Sequence, residues 1–143
     1  MLWRSSSTGA AGDTLVVALN PGKAQNRVWL STDAAGLLVE PLVLPVLAVE
    51  LTRLGRVVQQ HRGARDPVIA IEATGALHRA WVTELDRLFP RSVRLFVPSE
   101  TSRPGAVGLA ASKTDDRNYA ALTYLARQGL GRAVLSDEHE AGL

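Results

Sequence analysis

Val68-Ile69-Ala70-Ile71-Glu72-Ala73-Thr74-Gly75 joins four apolar residues to a carboxylate and then to turn-forming residues. A short continuous apolar run of this kind reads as a strand covered on both faces. The residue that ends such a strand lies at the carboxyl edge of the sheet, where open α/β proteins collect their ligands. Thr14-Leu15-Val16-Val17-Ala18-Leu19 is a second such run, ending on Asn20 before Pro21 and Gly22.

Outward from these two strands, Arg27 to Ser31 alternates in polarity and reads as a strand, followed by the hairpin residues Thr32 to Gly36. Leu37 to Leu44 reads as a third strand, with Pro41 arguing for an edge position. A helix from about Leu47 to His61 carries Leu47, Leu51, Leu54 and Val58 on one face and stops at Gly63. Thr74 is a suitable N-cap for a helix over 75–88, with Leu77, Trp81, Leu85 and Leu88 inward and Pro90 beyond its end. Val93 to Val97 is a fifth strand, 98–112 a loop, and Asp115 to Gln128 a last helix facing inward through Tyr119, Leu122 and Leu125 or Ala126. Residues 1–13 read as a disordered segment, 14–133 as one domain and 134–143 as a polar tail.

The order β-β-β-α-β-α-β-α gives an antiparallel meander followed by right-handed parallel crossovers. The expected architecture is a five-stranded mixed α/β sheet with helices on its faces, the topology of the ribonuclease H-like fold.

The chain has 143 residues, 46% hydrophobic and 21% charged, enough for one domain with a real core. It has no Cys, which excludes disulfides and thiolate metal sites. The N-terminus lacks the apolar core of a signal peptide, and no apolar run approaches the roughly 20 residues of a membrane span. A cytoplasmic, membrane-free protein is expected. The net charge of +2 allows nucleic acid as a partner without demanding it.

Asn20 and Glu72 are expected at neighbouring strand ends. Lys113-Thr114-Asp115-Asp116-Arg117-Asn118 opens the last helix, with Asp115 and Asn118 on one helix face. Four carboxylates meeting at such a mouth hold two Mg²⁺ ions for phosphoryl transfer. Asn20 and Asn118 are amides, and each lost charge weakens a divalent ion's attraction by several kcal/mol, even at an effective dielectric of about 20. Each position also has a local reading. Glu72 can face solvent or the next helix's N-terminus, Asp115 suits a first helical turn, and Asn20 before Pro-Gly is ordinary turn chemistry. His78 reads as a helix-surface residue, and Trp29 and Trp81 read as core. Lys23, Arg91, Arg94, Arg103, Lys113 and Arg117 fall near strand ends or in the long loop, as phosphate contacts or as a solvated surface.

Leu15 to Trp29, Ile69 to Gly75 and Lys113 to Asn118 together resemble the DEDD insertion-sequence transposases, relatives of the Piv DNA invertase. The likeness covers residues 14–133. It implies a RuvC-like domain as the N-terminal part of a recombinase, with Mg²⁺-dependent cleavage and strand transfer of DNA. It also implies an element-encoded guide-type RNA and a homo-oligomer. By position, Asn20 stands at the family's first Asp, Glu72 matches its Glu, Asp115 matches the next Asp, and Asn118 stands at the last. These four are the implied catalytic and metal-binding set, with Lys113 and Arg117 on phosphates. The family continues into a helical linker and a serine-bearing domain, whereas this sequence ends at Leu143. Weak or absent catalysis by this chain alone follows. The other classes are a non-catalytic nucleic-acid-binding module and an inactive fragment of a decayed element.

Overall fold

The two apolar runs form the centre of a mixed sheet, because each is buried on both sides. In the computed structural model the described residues are 12–21, 25–39, 41–45, 48–63, 65–73, 78–101 and 114–134, and among these the side chains of 25, 26, 48 and 114–118 are not described. Strand β1 (Val16–Asn20) pairs antiparallel with β2 (Gln25–Thr32) and parallel with β5 (Val68–Glu72). Leu15 to Leu19 have no solvent exposure at all. Parallel pairing of this kind requires both faces covered, and the residue types supply the cover.

Beyond β2, the expected third strand is divided into β3 (Gly36–Leu37) and β4 (Leu42–Pro45), both antiparallel to β2. Leu38 still donates its amide to the Leu30 carbonyl at 2.9 Å. Pro41, which has no amide proton to continue a ladder, lies between the two pieces. Its edge placement is as expected, since β4 pairs only with β2.

On the other side, β6 (Val93–Phe96) lies parallel to β5, and a two-residue strand β7 (Arg132–Ala133) lies antiparallel to β6. Among the described residues the sheet therefore has seven strands in place of the expected five. The additions are short segments whose pairing comes from tertiary contact rather than pattern.

Helices α1 (Ala48–His61) and α2 (Arg79–Leu88) cover one face. Their Leu51, Leu54, Val58, Trp81 and Leu85 pack on Val17, Leu19, Leu30, Ile69 and Ile71. The proposed Thr74 cap and the first turn of the expected helix lie outside the described residues; α2 is described from Arg79, with His78 at its N-cap. Burial, and then the charge of Arg79, hold the His78 imidazole below its ordinary pKa. Segment 98–112 is not all loop, because Pro98–Thr101 forms a one-turn helix, α3.

Helix α4 (Thr114–Arg127) covers the opposite face with Tyr119, Leu122 and Ala126 on Val16, Ala18, Ala70 and Phe96. Trp29 stacks on Tyr119 at 5.5 Å between ring centroids, and Arg127 donates to the Ser31 hydroxyl at 3.0 Å. These contacts fasten α4 to the second half of β2. Burial lowers the pKa of Arg127, with Asp33 opposing the shift.

Gly131 turns the chain from α4 into β7 at φ +101°, in the region that favours glycine. A Cβ there would lie 2.6 Å from Phe96 Cζ and 3.1 Å from Arg94 Cβ. Gly131→Ala is expected to cost about 1–3 kcal/mol, from backbone strain and the clash together. A urea denaturation midpoint unchanged from the wild type would contradict this close approach.

No helix among the described residues is long and apolar enough to cross a membrane.

Candidate functional site

Sheet register brings Asn20 and Glu72 together. In the parallel β1–β5 pair Leu19 stands opposite Ile71, and the next positions are Asn20 and Glu72. Side chains alternate along a strand, so Asn20 shares a face with Ala18, and Glu72 with Ala70. That is the face covered by α4. The same level continues outward through Arg27, opposite Asn20, and Phe96, opposite Glu72. Arg27, Asn20, Glu72 and Phe96 thus form a row at the carboxyl ends of β1, β5 and β6.

Glu72 is 6% exposed although it ends a strand. Burying a carboxylate without a donor is costly, and here a donor is present. The Thr101 hydroxyl, itself 1% exposed, lies 2.5 Å from Glu72 Oε2. That length is typical of a hydroxyl donating to an ionised carboxylate. The same hydroxyl lies 3.1 Å from the Pro98 carbonyl, but it has one proton, and the nearer, charged acceptor wins. Helix α3 holds Thr101 there. Proline suits the first helical position. The Glu100 carboxylate reaches back to accept from the Val97 amide at 2.8 Å and also pairs with Arg132 of β7 at 3.4 Å.

Asn20 is half-buried, and the Arg27 guanidinium carbon lies 5.7 Å from the Tyr119 ring centroid. The backbone of α4 places 115 and 118 one turn before the buried Tyr119 and Leu122. The side chains of Asp115, Arg117 and Asn118, and all of Lys113, lie outside the described residues, as do Lys23 and Arg103.

Two of the expected phosphate contacts are elsewhere. Arg91 precedes β6 and so sits at the amino end of that strand, away from the mouth. Arg94 directs its guanidinium the same way, donating to the carbonyls of Arg91 and Val93 at 3.3 Å each. Proximity to a strand end in sequence did not say which end.

Arg27 and Thr101 are the residues at this mouth that pattern reading missed. Arg27 alternates with Trp29 across the hairpin from Asn20, and that register was available as a signal. For Thr101 the signal was Pro98 followed by Glu100, a helix start immediately after a strand.

Asn20 and Glu72 present hard oxygens of the kind Mg²⁺ accepts. Together they carry one negative charge, beside a positive one on Arg27. Among the described residues no three His, Cys, Asp or Glu side chains gather where they could hold a metal. This donor set fits one hydrated cation on Glu72 and does not fit a pair of divalent ions.

No family model matches the chain, and no curated protein matches it. Among solved structures, the chain is similar to Thermus thermophilus RuvC, with a TM-score of 0.57 and 15% identity over 85% of this chain and 100% of that one. It is also similar to T. thermophilus RuvC in complex with a Holliday junction substrate, with a TM-score of 0.56 and 12% identity over 85% and 99%. The fold of this chain is accordingly α/β and ribonuclease H-like, of the RuvC type.

Proposed function

We propose that this chain is a RuvC-like domain of a DEDD-type transposase or recombinase, and that by itself it binds DNA rather than cutting it. The observation that carries this reading is the parallel β1–β5 register, which sets Asn20 beside Glu72 at the carboxyl edge of a RuvC-type sheet. A solved relative in fold is described as bound to a Holliday junction substrate, and that makes DNA the partner of choice. Arg27 supplies positive charge to the mouth. Asn20 and Glu72 offer hydrogen-bonding groups to a sugar-phosphate backbone or a base edge. A divalent ion at Glu72, when bound, would neutralise phosphate charge. With amides at positions 20 and 118 where a pair of divalent ions wants acids, the site carries too little negative charge for paired-ion strand cleavage.

Fluorescence anisotropy with labelled duplex and four-way junction tests this. Binding is expected to persist in EDTA and to weaken steeply as salt rises, because phosphate contacts release counterions. No nicked product is expected in Mg²⁺. Absence of binding to either DNA at low salt would defeat the proposal. Nicking in Mg²⁺ that is abolished by Glu72→Gln would defeat its inactive half.

A second reading, a non-catalytic nucleic-acid-binding remnant of a mobile element, is favoured by one specific observation: a cationic side chain, Arg27, stands cross-strand from Asn20, where a cation site would want negative charge. Binding that is indifferent to Mg²⁺, even after the acids are restored, would select it.

A further inference from the structure

We infer that Thr101 is a positioning residue for Glu72, fixing which carboxylate oxygen the mouth offers to a bound cation. Three observations carry this. The Thr101 hydroxyl lies 2.5 Å from Glu72 Oε2, both residues are buried, and the contact joins the end of β5 to the helix that follows β6. With Oε2 engaged, and no donor among the described residues on Oε1, Oε1 is the oxygen available to a ligand. Glu72 then acts through one oxygen, with its side chain held in one orientation. A carboxylate held by a donor loses little conformational freedom when it binds, which raises its affinity.

Thr101 is itself secured. The Ala73 amide donates to the Phe96 carbonyl at 2.7 Å, which joins the ends of β5 and β6. The Val97 amide and Arg132 together fix Glu100 one residue before it. The geometry of the acid thus depends on the β6–α3 connection, a segment outside the four residues that the acid-and-amide pattern singles out.

This inference rests on the cation reading of the mouth, so the test separates the two. The full chain carrying Asn20→Asp and Asn118→Asp is the parent, and it is compared with the same chain further carrying Thr101→Val or Thr101→Ser. Valine keeps the shape and removes the hydroxyl, whereas serine keeps the hydroxyl. Mn²⁺ affinity is measured by calorimetry, and Glu72 side-chain rotamer averaging by NMR couplings. In the acid-restored chain, Thr101→Val is expected to weaken Mn²⁺ binding about tenfold, in line with the loss of a hydrogen bond to a ligating group. Thr101→Ser should stay within about twofold of its parent, on the same grounds. Thr101→Val should also set the Glu72 side chain averaging between rotamers, and Thr101→Ser should not.

A purely structural role would lower thermal stability without separating serine from valine in affinity. Equal Mn²⁺ affinity in valine and parent, or equal loss in valine and serine, overturns the inference. If the acid-restored chain binds no Mn²⁺ at all, the cation reading fails and NMR alone decides Thr101. Averaging of Glu72 confined to the valine variant then supports the positioning role, and an unaltered Glu72 refutes it.

Discussion

Asn20→Asp combined with Asn118→Asp is expected to raise Mg²⁺ affinity by about a hundredfold or more. Each substitution adds one negative charge near a divalent ion. At an effective dielectric of about 20, a pair of unit charges 4 Å apart attract by about 4 kcal/mol, and desolvation and side-chain ordering take back a large part of that. Isothermal titration calorimetry on the double variant, the two single variants and the wild type reads the effect directly. Asn20→Asp is the more informative single change, because Asn20 follows Leu19 in the register with Ile71 and so neighbours Glu72. Arg27, opposite it, should reduce the gain in that variant. A flat titration for the double variant would mean that the mouth is not a cation site. The Mg²⁺ reading would fall with it, while the RuvC-type fold would stand.

Trp81→Ala is expected to cost about 3–5 kcal/mol of folding stability. Trp81 is 2% exposed and packs in the larger apolar cluster with Leu54, Leu85 and Ile71. Domains of this kind are stable by only about 5–15 kcal/mol in total, so the variant should be partly unfolded near physiological temperature. Urea denaturation followed by far-ultraviolet circular dichroism measures the loss. A shift below about 1 kcal/mol would show that the helix layer of α1 and α2 is dispensable to the sheet, contrary to the burial of its residues.

The central strands were readable in the sequence because their signal is local. Leu15 to Leu19 and Val68 to Ile71 are continuous apolar runs, and only a doubly covered strand uses such runs at that length. The inward faces of α1, α2 and α4 were readable for a similar reason, since Leu54, Trp81 and Tyr119 recur at helical spacing with their neighbours. The adjacency of Asn20 and Glu72 followed from strand order. The rest depended on distance in three dimensions. Arg91 reads as a phosphate contact or a solvated residue from its place near a strand end, and strand direction puts it at the end away from the mouth. Thr101 carries no pattern of its own, and its partner is 29 residues away in the chain. The division of the third strand came from Pro41, which was recognised as an edge signal but also interrupts the ladder. The likeness of Lys113 to Asn118 to the family's last pair of acids concerns side chains outside the described residues.

One consequence follows from the sheet margins. On one flank the outermost pieces are β3, two residues long, and β4, four residues ending in Pro45; on the other flank β7 has two residues. Neither margin among the described residues offers a long row of open amides and carbonyls on which another chain could template. Fibrillar self-association by adding strand to strand is therefore disfavoured, even though Val43 exposes nearly half of its surface on β4. Crosslinks introduced on either outer strand are therefore expected to trap few assembled copies.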